Sequence, residues 1–210
     1  MPVMLDEEMM GRDDTIIGFP HLLLCIGVVL VTGNELWGVH ISSQATAQQV
    51  FNAFWGYCTG RGLAVGAVTA VYGGCNWNVR YGPPNQPATR QAWEAEMTGF
   101  ANHMGYHGAV RGFDFSIIAP KDGAYMEYRR QIGGTQPCRI FYKRHEKTVR
   151  AAATHTPLAG NADVVSYSIR NGNFRLLASP SSGITGKVST FHSGVMHEVD
   201  YALRLVQFNV

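Results

Sequence analysis

The chain has 210 residues, with 17 Lys and Arg against 15 Asp and Glu, 46% hydrophobic residues and 15% charged ones. That length suits one domain, or one with an elaboration, around a sizeable core, and the composition excludes a disordered chain. A net charge of +2 leaves no electrostatic footprint for nucleic acid, and the local basic run from Arg139 to Arg150 is interrupted by Phe141, Tyr142 and Glu146. The four cysteines, Cys25, Cys58, Cys75 and Cys138, show no CxxC spacing, which argues against a zinc site and a dense disulfide framework.

Residues 1–14 read as a mobile acidic leader; Asp6, Glu7, Glu8, Asp13 and Asp14 have the wrong sign for a signal peptide. The default compartment is the reducing cytoplasm, with leaderless export left open. Ile16 to Val31 is apolar but broken by Gly18, Pro20, His21 and Gly27, so a membrane span is not expected. The stretch from His21 to Ile41 reads instead as two β-rich runs joined at Gly33-Asn34, a pair that accepts positive φ.

A helix is predicted over Thr46–Cys58, with Thr46 and Gln49 at capping-box spacing, a stripe of Ala47, Val50, Phe51, Phe54, Trp55 and Cys58, and Gly60 or Gly62 at its exit. Ala64–Tyr72 is β-compatible and ends in a Gly73-Gly74-Cys75 turn. A second helix is expected from about Ala88 to His103, with Trp93, Met97, Phe100, Ala101 and Met104 inward. Strands follow at Ala109–Ala119 and Ala124–Arg130, joined by a turn at Pro120–Gly123, and then at Arg139–Lys143. Beyond residue 150 four short strands are expected, at Val164–Ile169, Phe174–Ala178, Val188–His192 and Val199–Phe208. Two helices among many strands define an α+β fold, mainly antiparallel or mixed sheets with both helices on one face. No internal repeat, phosphate-binding loop or Rossmann glycine pattern is present.

A two-residue turn at Gly33-Asn34 puts Gly27 opposite His40 and Cys25 opposite Ser42. Cys25 and His40 then become diagonal neighbours on one face, with Cβ atoms roughly 7–8 Å apart. A loop one residue longer would put them on opposite faces. An imidazole can take the proton of a thiol, and the resulting dyad attacks acyl carbons. The alternatives are an inert buried cysteine and a satisfied strand histidine. Cys75, after two glycines and upstream of His103 and His107, is a second candidate nucleophile. His103 with His107, and His192 with His197, lack the companion ligands of a metal site.

The order of parts resembles the CheD family of bacterial chemoreceptor glutamine deamidases, and through it the cysteine deamidase toxins related to cytotoxic necrotizing factor. The likeness rests on Cys25, the following Ile-Gly-Val-Val-Leu-Val, the Gly33-Asn34 turn, Trp-Gly-Val-His40, the helix Thr46–Cys58, the Ala67–Gly74 strand and the segment Ala88–Arg130. It spans roughly residues 15–145. It implies a layered sandwich over 15–150; the β-rich part over 151–210 has no counterpart in the family and is expected as an extension packed on the same domain. It also implies Cys25 as nucleophile, His40 as base and then acid, an exposed glutamine on a protein as substrate, and neither metal nor organic cofactor. The departures are Leu23-Leu24 where the family has Gly-Ser, and Phe19 where it has a threonine that orients the histidine. A backbone carbonyl (that of Phe19, for example), Thr15 or Ser42 would have to hold the imidazole instead. The β-rich tail favours a bacterial effector or toxin-like deamidase over a chemotaxis enzyme, and a non-catalytic partner-binding scaffold is the other class.

Overall fold

A computed structural model describes residues 3–5, 7–82, 86–116, 123–133, 136–144, 164–170, 173–176, 197–198 and 205–210. The strands are β1 (Val3–Met4), β2 (Met9–Asp13), β3 (Ile16–Leu22), β4 (Ile26–Thr32), β5 (Leu36–Ile41), β6 (Val68–Cys75), β7 (Ala109–Asp114), β8 (Ala124–Arg130), β9 (Cys138–Arg144), β10 (Val164–Arg170), β11 (Asn173–Leu176), β12 (His197–Glu198) and β13 (Leu205–Asn209). The helices are α1 (Ala47–Thr59), α2 (Trp77–Tyr81) and α3 (Gln86–Met104). One sheet has the order β1-β3-β8-β9-β12 and the other β11-β10-β2-β5-β4-β6-β7-β13, and among the described residues parallel pairing is confined to β1 with β3 and β6 with β7. The fold is α+β, with mixed, mainly antiparallel sheets.

The two faces of the large sheet bury different partners, and the period-two alternation of its strands sorts the residues. Val28, Leu30, Val39 and Trp37 face the helices, where Trp37 meets Tyr57 of α1 at 6.1 Å between rings. Met97 lies over Gly73 and Trp93 over Gly112, so α3 seats on strands stripped of side chains. The helices meet through stacked Phe51 and Phe100, 4.3 Å apart. Gly27, Gly38, His40 and Gly74 point the other way, into the layer shared with the smaller sheet, where Phe19, Leu5 and Tyr128 occupy the space the glycines leave. The result is three layers: helices, large sheet, small sheet.

Gly27 carries an energetic consequence. A Cβ there would lie 2.8 Å from the Phe19 ring, and Phe19 is fully buried with its edge against His40 and Tyr128. Gly27→Ala should cost about 1–3 kcal/mol, read as a lower urea midpoint at an unchanged denaturant slope. An unmoved midpoint would mean that the Phe19 ring has room to give.

Several expectations are corrected. The leader is not a free tail: Val3, Leu5 and Met10 are buried, and β2 pairs with β5 from Met10↔Val39 to Asp13↔Leu36. Its acidic residues hide the apolar blocks on either side of 6–8, Val3-Met4-Leu5 and Met9-Met10. The hairpin does not begin at His21: His21 and Leu22 end β3 (Ile16–Leu22), a strand of the other sheet, and Leu23-Leu24-Cys25 is the passage between sheets. The hairpin closes on two residues, with the Thr32 N–H donating to the Glu35 carbonyl at 2.9 Å. Neither Gly33 nor Asn34 uses positive φ; the Thr32 hydroxyl organises the turn by accepting the Glu35 N–H at 2.9 Å.

In the first helix Thr46 caps without a side-chain bond, Tyr57 is buried, and Trp55 is only partly so. Gly73-Gly74-Cys75 is the end of β6 rather than a turn. The short helix α2 was not expected; its signal is Asn76, whose side chain accepts the Val79 N–H at 3.1 Å. The C-terminal strands join both sheets: β10 pairs with β2, β13 with β7, and β12 with β9. The expected strand Val188–His192 and most of the Pro120–Gly123 turn lie outside the described residues, Gly123 excepted with φ 75°.

Candidate functional site

The hairpin register is the one that a two-residue turn dictates, with Ile26 opposite Ile41 and Gly27 opposite His40. Cys25 immediately precedes β4 and His40 is the penultimate residue of β5, so both sit at one end of the large sheet, where the chain passes between layers. His40 is 1% exposed. Its Nδ1 lies 2.9 Å from the Leu5 carbonyl oxygen, an atom that can only accept. Nδ1 therefore carries the proton, and in the neutral ring Nε2 is the basic nitrogen. The orienting group is thus a backbone carbonyl, but from Leu5. Thr15 is engaged elsewhere, donating to Asp13 at 2.7 Å, and the Phe19 ring packs edge-on against the imidazole with centroids 5.8 Å apart.

The Cys25 thiol is 3% exposed and donates to Glu7 Oε1 at 3.6 Å. A thiol has one proton, so while Glu7 holds it that proton is not directed at His40. Burial, the Glu7 charge and the hydrogen bond to Glu7 together push the Cys25 thiol up to about 12, against the opposing pull of Arg80 and of the Leu23 backbone. In this state Cys25 is a protonated, shielded thiol.

Arg80 arrives from α2 and ties the passage down. Its Nη1 donates to the Leu24 carbonyl at 2.8 Å, while Nε and Nη2 donate to the two Glu96 oxygens at 3.0 and 2.7 Å. Burial alone would lower its pKa, but the Glu96 carboxylate holds it firmly charged. Tyr81 completes the cluster by donating to Glu96 at 2.5 Å. Because the peptide is planar and trans, fixing the Leu24 carbonyl toward Arg80 turns the Cys25 N–H away from it. Beside this passage lies a hollow of about 270 Å³ lined by Leu24, Ser42, Ser43, Gln44, Ala45 and Arg80. Leu24 is 58% exposed there, one of two large apolar side chains on the surface among the described residues.

Cys75 faces the helices on the opposite side of the sheet. It is fully buried, 3.8 Å from the Tyr81 hydroxyl, and burial drives its thiol far up. His103 and His107 are exposed, and His192 lies outside the described residues. Among the described residues no group of three His, Cys, Asp or Glu could hold a metal ion, and no helix is long and apolar enough to cross a membrane. Sequence reasoning missed Leu5, Glu7 and Arg80. Only Leu5 left a signal, the apolar stretch Val3-Met4-Leu5 just before the acidic residues 6–8.

No protein-family model matches the chain, and no curated protein matches it.

Proposed function

We propose that the protein is a cysteine-dependent glutamine deamidase acting on a protein substrate, with Cys25 as nucleophile and His40 as base and then acid. The observation that carries the reading is the His40 Nδ1 contact with the Leu5 carbonyl, which leaves Nε2 as the basic nitrogen on a strand residue opposite Gly27, at the sheet end where Cys25 enters β4. Nε2 takes the thiol proton, and the thiolate attacks the glutamine side-chain carbonyl carbon. The oxyanion is met by backbone N–H donors, of which that of Cys25 is one. His40 returns the proton to the nitrogen as the C–N bond breaks and ammonia leaves. A water deprotonated by His40 then attacks the thioester, giving glutamate and the free thiol. The hollow beside Leu24 is a place for the flanks of the substrate. The layered fold fits the deamidase likeness, and the strands after residue 150 favour an effector-like target over a chemoreceptor.

The second reading, a partner-binding scaffold without catalysis, is favoured by one observation: the buried Cys25 thiol, held at about 12. Ammonia release from dimethylated casein, with conversion of glutamine to glutamate followed by peptide mass spectrometry, separates the two. The expected result is release by the intact chain or by its Glu7→Ala form, with Cys25→Ala and His40→Ala each reducing it by about 10²–10⁴-fold. No release from either form above the Cys25→Ala background gives the scaffold reading.

A further inference from the structure

Two connections cross between the sheets at the same end of the molecule: the one from β1 to β2, to which Leu5, Glu7 and Glu8 belong, and residues 23–25, joining β3 to β4. The second carries Cys25 and the first carries Glu7. Cys25 is buried while Glu7, which accepts its S–H, is exposed. The carboxylate therefore stands on the solvent side of the thiol. Two residues earlier Leu5 is fully buried. Its N–H donates to the Gly18 carbonyl at 2.8 Å, its own carbonyl holds His40, and its side chain fills the space over Gly38. One short segment thus engages both members of the dyad.

We propose that Glu7 and Glu8 form an autoinhibitory strap, in which Glu7 keeps Cys25 protonated and covered until the two residues are displaced, while Leu5 stays seated against His40. The inference rests on the reading of Cys25 as the nucleophile. The groups acting on the thiol divide by element. From the strap comes Glu7, which opposes the thiolate; from α2 comes Arg80 and from the chain just before Cys25 comes the Leu23 backbone, both of which favour it. Lifting the strap removes the opposing carboxylate and leaves the supporting groups in place. The strap hangs between two fixed points, the buried Leu5 and Met10, with Glu7 itself exposed. β1 pairs with β3 through Val3↔Ile17 and Met4↔Gly18 at the outer edge of the small sheet. Glu8 holds φ 63°, a left-handed conformation that a residue with a Cβ adopts at a cost and sheds on release.

The test is the rate of iodoacetamide labelling of Cys25 in the full chain, followed by peptide mass spectrometry from pH 6.5 to 8.5, where the fold is retained, in the wild type, Glu7→Gln and Glu7→Ala. Both substitutions alter an exposed side chain, and circular dichroism checks that the fold is kept. Glu7→Gln removes the charge and keeps the cover; Glu7→Ala removes both. At neutral pH, labelling of Cys25 should rise by about tenfold or more in Glu7→Ala, with Glu7→Gln between it and the wild type, since each unit of thiol pKa is a tenfold change in thiolate. Labelling of Cys75 and Cys138 should not change. A Cys25 rate in Glu7→Ala within twofold of the wild type overturns the strap. Faster labelling without ammonia release from casein keeps the strap and fails the deamidase reading alone.

Discussion

Raised above pH 8.5, the protein should lose stability steeply, at about 1.4 kcal/mol per pH unit for each thiol that folding keeps protonated. Cys25, Cys58, Cys75 and Cys138 are all free and all buried, and burial is the first cause that raises each of them above the ordinary thiol range. In the unfolded chain these thiols ionise near 8.5. In the folded chain Cys25 holds its proton to about 12 and the others do so well above their usual value. Between those limits the unfolded state binds fewer protons than the folded one, so the free energy of unfolding falls as pH rises. With four such thiols the slope approaches about 5 kcal/mol per pH unit, against a total stability on the order of 5–15 kcal/mol. Urea midpoints at pH 7.5, 8.5 and 9.5, with a reductant present, should drop progressively, and Cys138→Ala should flatten the slope by one thiol's share. A midpoint that stays level from 8.5 to 9.5 would mean that the thiols ionise inside the native structure. Tyr72, Tyr81 and Tyr125, also raised chiefly by burial, extend the same trend to higher pH.

Legibility in the sequence followed the reach of the interactions. The stripe of Trp93, Met97, Phe100, Ala101 and Met104 is buried as its spacing predicts, because helix periodicity is local. The Gly27–His40 register was legible for a related reason: a two-residue loop fixes every pair of the ladder behind it, whatever conformation the loop adopts. What was hidden is long-range. The Leu5 carbonyl reaches His40 across 35 positions and Arg80 reaches the Leu24 carbonyl across 56, and neither pairing leaves a spacing to read. Gly73-Gly74 misled because paired glycines signal a turn locally. Here they make room in a central strand for Met97 on one side and Tyr128 on the other. The leader misled in the same way, since its charges outnumber the side chains that anchor it.

Glu96→Leu should be among the most damaging single changes outside the apolar core, and its partner mutation should undo most of the harm. The Arg80 side chain is 1% exposed and Glu96 8%. Removing the carboxylate leaves a buried guanidinium with no counter-charge and deprives the Tyr81 hydroxyl of its acceptor. The expected loss is about 3–5 kcal/mol, read from the urea midpoint. Arg80→Met combined with Glu96→Leu replaces the pair by apolar groups of similar volume and should recover most of that loss, because a buried ion pair barely outweighs its own desolvation. If stability were all the pair provided, the double variant would behave as the wild type in every respect. It should not. Arg80 also anchors the Leu24 carbonyl and draws the Cys25 thiol downward, so the double variant should fold yet label more slowly at Cys25 than the wild type, and the deficit should be clearest when Glu7→Ala is added to both. Recovery of the midpoint without recovery of the labelling rate would assign Arg80 two separable roles, one in the core and one at the thiol. Recovery of both would leave it a purely structural residue.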